Sequence, residues 1–281
     1  MKVKATVLCE NCVYSNIGAL AEHGWSVFLE TDQGNFLFDT GQGLALINNA
    51  HYFKKDLSGI QGIILSHHHI DHTGGLLAAV TAAGKVKVYS HPELFKESYM
   101  TRGGKVKYIG IPFAKPALES QGASFVYNTE FSEVVPGMYL TGEVPRKNDF
   151  ETGDLDQVIP CGCGCESDYV QDPLPDDQSL VIKTEKGLFV VLGCSHAGII
   201  NILNHAIEKT GEKRIHTVIG GTHLGPASPE QREKSIEALK GFNIERLGVS
   251  HCTGDIAAMG LSQEFKEKFF FCHVGTVVEG E

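Results

Sequence analysis

Long apolar runs are missing from this sequence. Its apolar stretches are short and lie between turn signals, so no segment is expected to span a bilayer and no membrane partner is expected. Basic residues are outnumbered: 24 Lys and Arg face 34 Asp and Glu, a formal net charge of −10. Nucleic acid is a polyanion whose binding normally needs a basic face, so this balance argues against a nucleic-acid substrate. Internal repeats and low-complexity tracts are absent. With 42% hydrophobic and 21% charged residues, the composition is that of an ordinary globular protein and neither disordered nor fibrous. A secretory signal is missing too. Lys2 and Lys4 mimic a positive leader, but the apolar run Ala5–Leu8 with Cys9 is broken at once by Glu10 and Asn11. A cytoplasmic location is therefore expected, where thiols stay mostly reduced. The eight cysteines accordingly read as thiols or metal ligands, not as a disulfide framework.

What is present is an α/β pattern. The length of 281 residues suits one large domain, 1–281. Lys2–Leu8 reads as a strand, and Ser26–Thr31 with Asn35–Phe38 as a hairpin turning at Asp32-Gln33-Gly34. Gly62–Leu65 is a short apolar strand, Gly75–Ala83 a helix and Val86–Tyr89 a further strand. Residues 146–178 are rich in Gly, Pro, Asp and Cys and have no periodicity, which predicts a structureless lid or insertion over a site. Beyond it, Ser179–Lys183 and Leu188–Leu192 form a second expected hairpin. Ile199–Ile207 has helical spacing and a stop at Gly211. Ile215–Ile219 and Ile244–Val249 are strands. Pro229–Lys240 is a helix with Ser228 as N-cap and Gln231 closing a capping box.

The strongest chemical signal is Ser66-His67-His68-His69-Ile70-Asp71-His72-Thr73-Gly74-Gly75. Imidazole nitrogen and carboxylate oxygen are the usual ligands of Zn²⁺ and of non-haem iron. Residues two apart in an extended segment point the same way, so His67 and His69 can hold one ion together. A following turn brings Asp71 and His72 towards a second. His68 points away and is expected to be structural. The glycines at 74 and 75 are expected to let the chain turn tightly into the next helix.

The pattern His-x-His-x-Asp-His resembles the signature of the metallo-β-lactamase superfamily. Phe38-Asp39-Thr40-Gly41 resembles the turn that precedes it. Glu22-His23-Gly24, Gly193-Cys194-Ser195-His196-Ala197-Gly198, Gly220-Gly221-Thr222-His223-Leu224 and His251-Cys252-Thr253-Gly254 resemble one branch of predicted metal-dependent hydrolases. Some members of that branch are named dihydropterin ribofuranosyl-aminobenzene phosphate synthases. The resemblance covers essentially the whole chain. It implies an αββα sandwich of two mixed β-sheets flanked by helices, each half of the chain contributing one sheet, with the site at one edge between them.

The resemblance also implies further ligands. His251 matches the last metal-binding motif and joins Asp71 and His72 at the second ion. For the first ion the chain departs from the family pattern. Glu143 stands where the third histidine is usual, and Cys194 where a bridging aspartate is usual, with His196 two residues on. His196 is the preferred third ligand, Cys194 a candidate thiolate ligand or bridge, and Glu143 the reserve, its alternative being a salt bridge with Arg146 or a solvated carboxylate. His223 and, more weakly, His23 are candidates for substrate binding, His223 also for proton transfer. Two divalent ions are expected, Zn²⁺ first, with Fe or Mn as alternatives.

Cys9-Glu10-Asn11-Cys12 and Cys161-Gly162-Cys163-Gly164-Cys165 raise a second metal site. Cys9, Cys12, Cys161, Cys163 and Cys165 together would suit Zn²⁺ or an iron–sulfur cluster if their loops met over the site. Cys272 reads as core packing. The expected activity is hydrolysis of a small-molecule ester, lactone, thioester or phosphoester, with Asp71 orienting water and His223 assisting the leaving group. Two alternatives stand beside it. One is a diiron or iron–sulfur redox protein, weakened by His69 where the diiron flavoproteins of the superfamily tend to carry Glu. The other is a non-catalytic metal-binding or sensing protein working through the cysteine loops.

Overall fold

The computed structural model describes residues 1–161 and 168–281. The chain opens with strands β1 (Val3–Cys9), β2 (Ser26–Thr31) and β3 (Gly34–Phe38), then helix α1 (Leu46–Tyr52) and strand β4 (Ile60–Ile64). The short helix α2 (Ile70–Thr73), helix α3 (Leu76–Ala83) and strand β5 (Val86–Ser90) follow. A hairpin of β6 (Tyr99–Arg102) and β7 (Lys105–Tyr108) precedes α4 (Lys115–Ser120) and β8 (Ala123–Tyr127). Next come β9 (Ser132–Val135), β10 (Met138–Leu140), β11 (Gln157–Pro160), β12 (Tyr169–Gln171), β13 (Leu180–Thr184) and β14 (Gly187–Val191). The last part alternates α5 (Ile199–Thr210), β15 (Ile215–Gly221), α6 (Pro229–Lys240), β16 (Ile244–Ser250), α7 (Gly254–Phe265), β17 (Phe269–Phe271) and β18 (Val277–Gly280).

Among the described residues, two seven-stranded mixed sheets form the body, in the orders β18-β1-β2-β3-β4-β5-β8 and β17-β16-β15-β14-β13-β10-β9. Each is antiparallel at one end and parallel at the other: β3, β4, β5 and β8 run parallel in the first, β14 to β17 in the second. The strand sequences explain the layering. Val27 and Leu29 of β2, Phe36 and Phe38 of β3, and Phe189 and Val191 of β14 face the layer between the sheets. Their neighbours Phe28 and Leu37 pack outward against α1 and α3, and Leu188 and Val190 outward against α5 and α7. Side chains alternate across a strand, so a strand covered on both faces must be apolar throughout, as β14 is. The result is the expected αββα sandwich.

Helix boundaries follow local chemistry. Gly211 ends α5 in a left-handed conformation at φ 71°. Ser228 caps α6 by accepting a hydrogen bond from the Gln231 amide at 3.1 Å. The expected strands appear, shifted by one or two residues at their ends.

Two expectations need correction. Residues 146–178 are not structureless: β11 and β12 pair there and join the β6–β7 hairpin in a small four-stranded sheet, order β12-β11-β6-β7. Tyr99, Tyr108 and Tyr169 pack edge to face across it, a cross-strand cluster that periodicity within 146–178 does not reveal. Nor does each half keep to its own sheet, because β18 crosses back to pair with β1, Val3 opposite Gly280. Among the described residues no helix is long and apolar enough to cross a membrane.

Candidate metal centre

The ends of five parallel strands and of β1 meet at one edge of the sandwich. Strand β3 delivers Asp39, β4 delivers Ser66 to His72, β14 delivers Cys194 and His196, β15 delivers His223, and β16 delivers His251 and Cys252. Strand ends are where α/β sheets place their sites, because the loops there are free of the ladder.

His67, His69 and His196 converge, with one ring nitrogen of each within 4.8 Å of the others, and all three are buried. His67 Nε2 lies 3.0 Å from His69 Nδ1. The backbone at His69 is extended (φ −64°, ψ 147°), which keeps 67 and 69 on one side as their spacing predicts. His68 turns the other way. Asp176 accepts from its backbone amide at 2.9 Å and lies 2.6 Å from its Nδ1, so His68 anchors the loop to the segment before β13.

A second set surrounds Asp71. Its Oδ2 lies 3.2 Å from His251 Nε2, 3.3 Å from His23 Nε2 and 3.9 Å from His72 Nε2. His23, given only a weak substrate-binding role from the sequence, thus joins Asp71 and His251 as a third donor. Asp39 Oδ2 lies 2.7 Å from His72 Nδ1, leaving Nε2 to face Cys194 Sγ at 3.1 Å. His67, His72 and Cys194 also fall within 4.8 Å of one another, so Cys194 lies between the two sets. Asn11 Oδ1 lies 3.0 Å from His251 Nδ1, and Glu10 accepts from the His251 amide at 2.8 Å. Asp39 and Asn11 each engage the ring nitrogen that faces away from the cluster, the pattern by which outer partners orient metal-binding histidines.

Other sequence candidates go elsewhere. Glu143 pairs neither with the cluster nor with Arg146: its Oε1 lies 3.2 Å from His91 Nε2, and its side chain is 52% exposed. Arg146 instead donates to the carbonyl of His196 at 2.7 Å, fixing that loop. Cys9 is fully buried beside Glu22, and burial pushes its thiol well up, so it packs in the core. In the Cys-x-x-Cys segment it is Glu10 and Asn11 that serve the site. Cys163 and Cys165 lie outside the described residues. Cys272 is buried in the layer between the sheets, as expected.

Residues that motif reading passed over complete the picture. Asp39, in a recognised turn, had no assigned role. Asp154, in the 146–178 segment, meets His223 Nε2 at 2.5 Å. Cys252 lies with Cys194 and His223 within 4.8 Å. Only an acid in a Gly-rich loop signalled Asp154, and such acids are common.

Backbone strain concentrates here. Asp39 (φ 54°), Ser195 (φ 66°), His223 (φ 53°) and His251 (φ 51°) all occupy the left-handed region, which costs a non-glycine residue of order 1–3 kcal/mol. Gly74 and Gly75 have ordinary helical φ values of −64° and −87°, so the expected tight turn is not their reason. Space is: a Cβ on Gly75 would lie 2.2 Å from the Thr40 carbonyl oxygen, and one on Gly74 2.3 Å from that of Gln42.

The electrostatics favour a cation. Burial, reinforced by mutual repulsion, holds His67, His69 and His196 well below the usual histidine range, so all three are neutral, as ligands must be. Burial alone would raise Asp71, but His72, His23 and His251 outweigh it and keep it ionised. Burial opposes charge on His72 too, yet Asp39 and Asp71 lift it to about 9. The pocket thus holds carboxylate charge that a cation would neutralise in place of that proton. His69 Nε2 and both ring nitrogens of His196 are buried without a hydrogen-bond partner among the described residues, a costly state for isolated imidazoles. The donor set fits divalent metal ions: His67, His69 and His196 would hold one, and Asp71, His72 and His251, with His23 in reach, a second.

A cavity of about 360 Å³ opens over this floor. Arg102 and Lys107 from the β6–β7 sheet, and Asp154 and Gln157 from the 146–178 segment, form its rim. Of that segment, Asp154 and Gln157 thus line the cavity.

Residues 20–251 match the family model of the metallo-beta-lactamase superfamily. The chain is 31% identical, over 99% of its length and 96% of the relative's, to the 7,8-dihydropterin-6-methyl-4-(beta-D-ribofuranosyl)-aminobenzene-5'-phosphate synthase of Methanocaldococcus jannaschii. It is 29% identical to protein MJ0448 of the same organism, over 97% of this chain and 98% of that one. Among solved structures, Tm1679, a metal-dependent hydrolase of the beta-lactamase superfamily, superposes with a TM-score of 0.84 at 30% identity, covering 99% of this chain and 100% of that one.

Proposed function

The chain belongs to the metallo-β-lactamase superfamily, and from that premise we propose that it is a dinuclear metal-dependent hydrolase of a small molecule carrying an ester, lactone, thioester or phosphoester. The observation that carries this reading is the convergence of His67, His69 and His196 beside Asp71, His72 and His251 under one cavity, with His69 Nε2 and both ring nitrogens of His196 left without a hydrogen-bond partner among the described residues. Two divalent ions, Zn²⁺ foremost, would supply Lewis acidity there, making water ionise near neutral pH and polarising a substrate oxygen.

The chain's own groups do the rest. Asp71, held ionised, would hold an ion and accept a hydrogen bond from the attacking water, which orients it. His223 is lifted to about 10: burial opposes its charge, but Asp154 and Cys252 outweigh burial. It is thus a cation beside the cavity that can stabilise negative charge developing on the leaving oxygen. Lys107 on the rim favours an anionic substrate, with Arg102 beside it paired to Asp156. Among the four classes that supports the phosphoester, as does the relative whose name carries a 5'-phosphate. The same relative supports a second reading, a synthase that uses this site to join two molecules across a phosphoryl or acyl centre.

Turnover of a panel of aryl phosphate mono- and diesters, aryl esters, lactones and thioesters, with and without a chelator, tests the proposal. Hydrolysis of at least one class, lost on metal removal and in Asp71→Ala, is expected. Activity that survives both treatments would refute it. Metal-dependent consumption of substrate only when a second organic co-substrate is present would favour the synthase.

A further inference from the structure

Beyond the histidine and aspartate sets, two further groups gather at His223 among the described residues, one with Asp154 and His196 and one with two thiols. Cys194, His223 and Cys252 each offer a donor atom within 4.8 Å of the others, at the side of the same cavity. We propose that these three side chains form a third, sulfur-bearing cation site, which takes a thiophilic divalent ion such as Zn²⁺ and is bridged to the histidine cluster through Cys194.

Three further observations point the same way. The first is the state of His223. Its Nε2 is engaged by Asp154, while Nδ1 is buried without a hydrogen-bond partner among the described residues. A carboxylate on Nε2 orients the ring, and an ion held by the thiols would take the Nδ1 lone pair in place of the proton there. The second is Gly221, at the end of β15. A Cβ there would lie 2.5 Å from Cys252 Sγ and 3.4 Å from Cys194 Cα. Only glycine lets the β16 loop bring its thiol against the β14 loop. The third is the position of Cys194. Its Sγ belongs both to this set and to the set with His67 and His72, 3.1 Å from His72 Nε2. A thiolate has lone pairs for two ions, so the residue in the bridging place can serve both. Cys252 Sγ lies 3.4 Å from the Cys194 carbonyl and interacts with the Cys194 thiol and the His223 ring, the contacts an ion would replace. On binding, the protons held by the two thiols and by His223 Nδ1 pass to solvent and no electron is transferred. Two sulfurs and one nitrogen select Zn²⁺ or Fe²⁺ over Mg²⁺ or Mn²⁺.

This inference rests partly on the dinuclear reading, and the test separates the two. Protein stripped of metal and kept reduced is titrated with Co²⁺ alone. Nitrogen and oxygen ligands give visible ligand-field bands, while thiolates add a near-ultraviolet charge-transfer band. The wild type is expected to show both and to bind a third equivalent. Cys252→Ser is expected to lose about half of the ultraviolet intensity and the third equivalent while keeping the visible bands. His223→Gln, which keeps both sulfurs, is expected to weaken the third equivalent at least about tenfold, the upper range for losing a supporting partner being about 100-fold. A Cys161→Ser, Cys163→Ser, Cys165→Ser triple variant is expected to retain the ultraviolet band. An ultraviolet band that is absent from the wild type, unchanged by Cys252→Ser or abolished by the triple variant would overturn the thiol site alone. Absence of visible and ultraviolet bands together would overturn the dinuclear reading with it.

Discussion

Replacing Asp39 by Asn tests how far the site depends on a residue that touches no substrate. Asp39 is fully buried. Its Oδ1 accepts from the Ser66 amide at 2.7 Å, and its Oδ2 lies 2.7 Å from both the Ser66 hydroxyl, which donates to it, and His72 Nδ1. Its φ of 54° is one that Asn adopts readily, so the backbone need not move. Asn keeps one acceptor for the Ser66 amide but turns an NH₂ towards His72 Nδ1. Donor then meets donor, and His72 is driven to the tautomer that carries its proton on Nε2, the nitrogen facing Asp71 and Cys194. Loss of such a supporting contact weakens metal binding about 10–100-fold, or about 1.4–2.7 kcal/mol. Competition with a chromophoric chelator should show one of the two strong Zn²⁺ equivalents weakened by that factor, with the His67, His69 and His196 equivalent the less affected. Affinities unchanged within about twofold, below the smallest effect expected, or an equal loss at both positions, would refute this orienting role.

Other predictions concern the frame. Lys96 Nζ lies 2.8 Å from Asp172 Oδ1 and 3.1 Å from Asp176 Oδ1, both carboxylates buried, so Lys96→Met should cost about 3–5 kcal/mol in chemical denaturation by removing the lysine charge that offsets them. Burial pulls the lysine down, but Asp176 and Asp172 outweigh it and hold it above its ordinary value. The charged form therefore stabilises the fold fully below about pH 10, and this support is lost as pH rises through the folded value. Melting temperature should fall in that alkaline range for the wild type, and Lys96→Met should flatten the fall. Gly75→Ala, whose Cβ would lie 2.2 Å from the Thr40 oxygen, should cost about 1–3 kcal/mol and weaken metal binding. Gly59→Ala, with nothing within 4 Å of its Cβ, should stay within about 0.5 kcal/mol of wild type.

What was legible in the sequence is what short-range backbone geometry constrains. His67 and His69 share a face because extended residues two apart must, and His68 faces the other way for the same reason. The limits of α5 and α6 follow from Gly211 and Ser228, each acting within one turn. Apolar runs such as Gly187–Val191 announce strands covered on both sides. Tertiary structure alone decided which distant partners complete the site. The Glu10 carboxylate reaches the His251 amide across 241 residues because β1 and β16 end at the same edge. Asp154 reaches His223 across 69 residues because the 146–178 segment returns to that edge. Positional analogy made Glu143 a reserve ligand, but the loop after β10 carries it to His91 instead. Spacing along the chain restricts a side chain's direction for only a few residues; beyond that, contact depends on how the two sheets pack, which no local pattern encodes.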